Sequence, residues 1–113
     1  MKFILNDIDK QDALDYIEVF NEVDSEIKAK ITSEDVTLYN LGFSEKVLCS
    51  LDIEITEEQR KKVHEEAYEI ELSYAYLEDP RWYSKKDKEI EKRYGKYAKT
   101  ENMLFDIECI LDK

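Results

Sequence analysis

The chain has 113 residues, a formal net charge of −11, and only two glycines and one proline. The scarcity of glycine excludes glycine-rich phosphate loops and dinucleotide fingerprints, because their backbones must approach a ligand closely. No apolar run approaches the roughly 20 residues that cross a bilayer, the first residues turn polar too early for a signal peptide, and two widely spaced cysteines give no disulfide framework, so we expect a cytoplasmic protein.

The first predicted elements are a short strand and a helix. Phe3, Ile4 and Leu5 predict an edge strand, and Asp9 is a candidate helix N-cap. Apolar residues then recur at spacings of three and four, which predicts a helix over residues 10–30. This helix has a potential break just after Val23, where Asp and Ser follow each other. The stripe that it would bury consists of Ala13, Tyr16, Ile17, Phe20, Val23, Ile27 and Ile31.

The middle of the chain fits two structures. Apolar and polar side chains alternate from Val47 to Ile55, which predicts a strand that pairs with the β-prone segment before Gly42. The competing interpretation is a short helix over 45–51 with a serine cap, followed by extended chain. We favour the helix, because Ser-Glu-Lys-Val is a good helix opening and a strand would point Leu48 to solvent.

The strongest helix signal is the capping box of Thr56 and Gln59, which predicts a helix to about Leu77, before the proline. One apolar stripe of this helix consists of Val63, Ala67, Ile70, Tyr74 and Leu77. A second apolar set, on the opposite face, consists of Tyr68, Leu72 and Tyr76. We favour a central helix packed on both faces, and the alternative is that the second face is a docking surface.

The last third of the chain predicts further helix. Ser84 is a candidate cap, Gly95 and Thr100 are potential interruptions, and a strong terminal stripe consists of Met103, Leu104, Ile107, Ile110 and Leu111. Together these patterns predict a small single-domain α+β protein over residues 1–113. It is mainly helical, with about four helices and a two- or three-stranded antiparallel element, and the alternative is an all-α fold.

Few residues indicate catalysis or a cofactor. Part of a calcium-loop template is filled by Asp7, Asp9, Gln11 and Glu18, but Asp12 stands where the template needs glycine. His64 is the only histidine, so zinc-peptidase and di-iron patterns lack their ligands. Both cysteines lie in apolar stretches, which are typical of inert thiols. We therefore predict no enzyme activity, no bound metal and no cofactor.

Charge is polarised along the chain. Residues 1–59 hold 15 acidic and 5 basic side chains, a net charge of −10. In the second half, residues 81–99 interleave basic and aromatic side chains in a pattern typical of nucleic-acid binding; the residues concerned are Arg81, Trp82, Lys85, Lys86, Arg93 and Tyr97. The overall charge would repel a polyanion, so we expect no direct nucleic-acid binding.

In size and charge the chain is similar to small acidic phage or mobile-element proteins that block host nucleic-acid enzymes, including anti-CRISPR and other anti-defence inhibitors. This similarity implies a non-enzymatic inhibitor, in a bacterium or a phage-infected cell, that docks on the basic nucleic-acid-binding surface of a partner protein. A field of carboxylates steers association and competes for the Lys and Arg side chains that otherwise hold phosphates. The alternatives are a toxin-neutralising immunity protein and a helical homodimer with a regulatory or structural role.

The candidate partner-binding residues are acidic side chains expected on the outer face of the first helix, acidic side chains of the helix after Thr56, and the second apolar set of that helix. They are Asp7, Asp9, Asp12, Asp15, Glu18, Glu22, Asp24, Glu26, Glu65, Glu66, Glu69, Glu71, Tyr68, Leu72 and Tyr76.

Overall fold

The computed structural model describes residues 1–39, 44–75 and 85–111. These residues form three helices and a three-stranded antiparallel sheet, in the order β1 (Lys2–Asp9), α1 (Lys10–Val23), β2 (Lys28–Tyr39), β3 (Ser44–Glu54), α2 (Glu57–Ala75) and α3 (Lys85–Leu111). The mainly helical α+β class is confirmed, and the all-α alternative is wrong because of the sheet. Three helices are present in these residues rather than about four, since the short middle helix is a strand.

The chain divides into two compact units, Met1–Arg60 and Lys61–Lys113. The first unit contains the sheet, α1 and the first turn of α2, and the second contains the rest of α2 together with α3. The single domain expected over the whole chain remains a prediction.

The central strand of the sheet is β3, which pairs antiparallel with β1 on one side and with β2 on the other. Cys49, Leu51 and Ile53 are buried and alternate with residues that are less buried. Leu51 lies opposite both Leu5 and Ile31. The short helix that we favoured here is wrong, because partners on two neighbouring strands outweigh a local helix opening. The expected turn between β2 and β3 lies outside the described residues.

Both neighbours of β3 carry a bulge. The register shifts between Leu5 and Ile8 on β1 and between Ile31 and Ser33 on β2. The bulge of β1 contains Asp7, whose φ of 55° lies in the left-handed region that Asp tolerates better than most residues. The extra residue returns Ile8 to the same face of the strand as Leu5, opposite the buried row of β3.

Helix α1 begins at the predicted cap, because the carboxylate of Asp9 accepts a hydrogen bond from the backbone N–H of Gln11 at 2.9 Å. It ends at Val23, well before the predicted end at residue 30. Asp24 has extended backbone, and its carboxylate accepts from the N–H of Glu26 at 3.0 Å, which stabilises a turn instead of further helix. The buried residues of α1 are Ala13, Asp15, Tyr16, Val19 and Phe20.

The capping box before α2 is confirmed in both directions. The N–H of Thr56 donates to Oε1 of Gln59 at 2.9 Å, and the N–H of Gln59 donates to Oγ1 of Thr56 at 3.1 Å. Val63 and Ile70, two members of the predicted inward stripe, are buried, whereas the inward position predicted for Tyr74 is wrong, since Tyr74 is 37% exposed. The predicted end at Leu77 lies outside the described residues.

Helix α3 is a single element of 27 residues, without the interruptions predicted at Gly95 and Thr100. Thr100 is buried, and its Oγ1 donates to the carbonyl of Lys96 at 2.8 Å, so its hydroxyl is satisfied within the helix. The candidate cap Ser84 lies outside the described residues. No helix in the described part of the chain, α3 included, is both long enough and apolar enough to cross a membrane.

Candidate functional site

Helix α2 has an exposed face that combines apolar and charged side chains. Lys61, Glu65, Tyr68 and Leu72 are spaced four, three and four residues apart, so they share one side of the helix, and Glu69 lies beside them. These five residues are named the outer face of α2. Tyr68 is 57% exposed and Leu72 is 45% exposed. The prediction that this helix is packed on both faces is therefore wrong for these two residues, and the alternative, that this face is a docking surface, stays a prediction.

Most of the predicted acidic residues of α2 have no counter-charge in the part of the chain that the structure describes. Among the residues that the structure describes, Glu65, Glu69 and Glu71 form no ion pair. Glu66 differs, because its Oε1 lies 3.8 Å from Nη2 of Arg93. Three carboxylates are thus available to a positively charged partner beside the two exposed apolar side chains. Tyr76, the third member of the apolar set, lies outside the described residues.

A groove of about 270 Å³ lies between α2 and α3. It is named the α2–α3 groove, and its lining residues are His64, Ala67, Tyr68, Glu71, Tyr94, Ala98, Glu101 and Asn102. Ala67 on α2 and Ala98 on α3 make room for the groove, because alanine has no side-chain atoms beyond Cβ. Tyr68 belongs both to the groove and to the outer face of α2, so the two features are continuous.

Two of the side-chain contacts between α2 and α3 involve residues that line the groove. Nδ1 of His64 lies 2.9 Å from Oε2 of Glu101, at the distance of a hydrogen bond in which the ring N–H donates. The rings of Tyr74 and Tyr94 stack with their centroids 4.4 Å apart and their planes 7° from parallel. The walls formed by Glu101 and Tyr94 are therefore fixed by partners on the other helix.

The acidic residues of α1 do not share one exposed face. Asp15 is only 8% exposed and accepts a hydrogen bond from Nε2 of Gln11 at 3.1 Å. Its predicted place on the outer face is wrong, because it lies one helical turn before the buried Val19. The other predicted acids of this helix are half-buried or exposed, namely Asp12, Glu18 and Glu22.

Four further predicted acids lie outside α1. Asp7 lies near the end of strand β1 and Asp9 is its last residue. Asp24 and Glu26 lie in the turn that follows α1. Asp9 and Asp24 accept backbone hydrogen bonds and so stabilise the local chain. The calcium-loop template thus falls across the end of a strand and the start of a helix. In the described residues no group of three or more His, Cys, Asp or Glu is arranged to hold a metal ion.

Basic side chains interrupt the negative charge of the first unit. Lys2 and Lys28 lie on either side of Glu54 across the sheet, and Lys30 lies opposite Asp52. All three lysines are exposed. Opposite charges that face each other on neighbouring strands attract, so part of the negative charge is compensated there. The first half of the chain is therefore not a uniform acidic surface.

One aromatic residue of the predicted nucleic-acid-binding segment, residues 81–99, is not available for stacking. Tyr97 is 1% exposed, and the guanidinium carbon of Arg93 lies 5.5 Å from the centre of its ring. A buried ring is not available to stack on a base. Arg81 and Trp82, from the same predicted segment, lie outside the described residues.

The two cysteines differ in environment. Cys49 is buried in the sheet, whereas Cys109 is exposed on α3. Burial raises the pKa of the Cys49 thiol, and the charge of Glu34 raises the pKa further, although Lys10 partly opposes this effect. A raised pKa lowers the fraction of thiolate at neutral pH, and the thiolate is the reactive form. Cys49 is therefore a poor nucleophile.

Iodoacetamide at neutral pH is expected to modify Cys109 and to leave Cys49 intact in the folded protein. Burial limits the access of the reagent to Cys49, and its raised pKa keeps it in the thiol form. Mass spectrometry of tryptic peptides measures both sites, and labelling in urea provides the control in which both react. Equal labelling of both cysteines in the folded protein would contradict this prediction.

Comparison of the chain with protein-family models, with curated proteins and with solved structures gives no match. Function is therefore inferred from the outer face of α2 and from the α2–α3 groove. Exposed apolar side chains among carboxylates without ion pairs are suited to binding another molecule.

Proposed function

We propose that this is a non-enzymatic binding protein that docks the outer face of α2 on a basic surface of a partner protein. The observation that supports it is the exposure of Tyr68 and Leu72 beside carboxylates that form no ion pair in the described chain. Protein interfaces commonly have a small apolar or aromatic centre within a charged, hydrated rim. The outer face of α2 has this composition.

The charge of the protein favours a basic partner. A net charge of −11 accelerates encounter with a positive surface, and added salt weakens this effect. Proteins that bind nucleic acids carry large positive surfaces, because phosphates require cationic side chains. We therefore propose that the partner is a nucleic-acid-binding enzyme and that this protein inhibits it by occupying its nucleic-acid site. That is the mode of action expected of an anti-CRISPR or other anti-defence inhibitor from a phage or mobile element.

The other two candidates make different use of the same face. A homodimer would bring Glu65 and Glu69 of one copy near the same residues of the other, and this like-charge contact is unfavourable. An immunity protein would use the face against a basic toxin. The identity of the bound molecule therefore separates the three functions.

Two leucines of nearly equal exposure allow a matched test. Leu72 on α2 is 45% exposed, and Leu14 on α1 is 43% exposed. Benzoylphenylalanine, which forms covalent crosslinks on irradiation, replaces one leucine or the other in the full chain, and each variant is irradiated in a bacterial lysate. We expect the variant at position 72 to crosslink to a basic nucleic-acid-binding protein, and the variant at position 14 to give no such product.

The crosslink at position 72 should decrease when salt or nucleic acid is added, because both compete for the basic surface of the partner. Equal products from both positions, or a crosslink that nucleic acid does not reduce, would contradict the proposal. A crosslinked dimer of this chain would support the homodimer instead, and a crosslinked toxin would support the immunity protein.

A further inference from the structure

We infer that the α2–α3 groove binds the side chain of an arginine residue of the partner protein. The volume of about 270 Å³ lies just below the roughly 300–1,000 Å³ of pockets that take drug-sized ligands. The groove is therefore large enough for a single long side chain. Its continuity with the outer face of α2, through Tyr68, places that side chain at the edge of the proposed interface.

The chemistry of the lining residues selects a planar cation. Each helix contributes one carboxylate, Glu71 from α2 and Glu101 from α3, and each contributes one aromatic ring, Tyr68 and Tyr94. A guanidinium group donates forked hydrogen bonds to carboxylates and also stacks on aromatic rings. The ammonium group of lysine is a compact point charge without the planar shape. Arginine is thus the side chain that uses both kinds of lining residue.

The two carboxylates have different roles in this site. Glu101 is hydrogen-bonded to His64 at 2.9 Å, so its position is fixed. Glu71 is exposed and forms no ion pair in the described chain, so its charge is available to the occupant. An anionic occupant such as a phosphate would meet both carboxylates and would be repelled. The charge of the groove therefore matches the basic partner.

This inference rests on the proposed function, because the proposed partner supplies the arginine, but the groove can be tested without that partner. His64 is the only histidine of the chain and lines the groove, so its ring C–H signals in the proton NMR spectrum report on the site alone. The probe is N-acetylarginine methylamide, added to the full-length protein. The control is the citrulline analogue, which has nearly the same shape but no charge.

We expect a saturable shift of the His64 signals with the arginine probe, with weak affinity in the millimolar range, and no such shift with the citrulline analogue. The variant Glu71→Gln should weaken binding several-fold, because it removes the available charge and keeps the size of the side chain. The variant Glu89→Gln is the matched control: Glu89 is exposed on α3 and belongs neither to the groove nor to the outer face of α2, so binding should be unchanged.

Equal shifts with both probes, or unchanged binding in Glu71→Gln, would overturn the inference. That failure is separable from failure of the proposed function. A salt-sensitive crosslink to a basic partner at position 72, without a response to the arginine probe, would reject the groove and keep the function. Binding of the arginine probe, without a crosslink to any basic partner, would reject the proposed function and keep the groove as a binding site for arginine.

Discussion

The triple variant Glu65→Lys, Glu69→Lys and Glu71→Lys is expected to associate with the basic partner about 10- to 1,000-fold more slowly than the unchanged protein. Each substitution replaces a negative charge with a positive one, so the net charge changes from −11 to −5. The positive charges would then face the positive surface of the partner. Association rates from stopped-flow or surface plasmon resonance, at several salt concentrations, measure the effect.

The matched control is the variant Glu18→Lys, Glu22→Lys and Glu26→Lys. These three residues are exposed in the first unit, and their reversal gives the same net charge. We expect a much smaller decrease in association rate, because these residues do not belong to the outer face of α2, at which docking is proposed, and they affect association only through the net charge. Equal decreases in both variants would mean that net charge alone governs association and would reject the outer face of α2 as the docking surface.

The variant Asp15→Lys is expected to lower the free energy of unfolding by about 3–5 kcal/mol, a large part of the roughly 5–15 kcal/mol that stabilises a typical domain. Asp15 is 8% exposed, and its carboxylate accepts a hydrogen bond from Gln11. Lysine removes this acceptor and places an ammonium group in a buried position. Urea denaturation followed by circular dichroism measures the change.

Two other variants show whether the effect of Asp15→Lys comes from the new charge or from its buried position. Asp15→Asn keeps the size of the side chain and one acceptor oxygen, so we expect a loss of only about 1 kcal/mol. Glu18→Lys changes an exposed residue of the same helix and should alter the free energy of unfolding by less than about 0.5 kcal/mol. If Asp15→Lys were as stable as Glu18→Lys, Asp15 would not be buried in solution, and the acidic face predicted from the sequence would be restored.

The features predicted correctly from the sequence are those whose partners are close along the chain. The carboxylate of Asp9 caps an N–H two residues away, and Thr56 and Gln59 cap each other within one turn. Such signals lie within a few residues, so a linear pattern contains both the donor and the acceptor. The start of α1 and the start of α2 were predictable for this reason.

Strand β3 shows where local patterns fail. Its alternation was visible in the sequence, yet the serine-led segment also resembled a helix start. The choice depends on Leu5 and Ile31, which lie opposite Leu51 but are far from it along the chain. Tertiary pairing overrode the local preference, as is common for strands.

The α2–α3 groove could not be predicted for the same physical reason. His64 and Glu101 are 37 positions apart, and the stacked Tyr74 and Tyr94 are on different helices. The tyrosines of α2 and α3 look alike in sequence, whether they stack on each other, line a groove or face water. The second apolar set of α2 was visible as a pattern, but its exposure follows only from the packing of the rest of the chain.

The two bulges of the sheet also bear on self-association. In the described residues β1 and β2 are the edge strands, and unpaired edges are the usual starting points of strand-to-strand aggregation. A foreign strand that extended β1 would meet regular backbone only from Lys2 to Leu5 before the bulge at Asp7 interrupted the ladder. On β2 the irregularity after Ile31 leaves an unbroken register from Ser33 to Tyr39. Strand addition is therefore expected on the edge of β2 rather than on the edge of β1, whose regular runs are short.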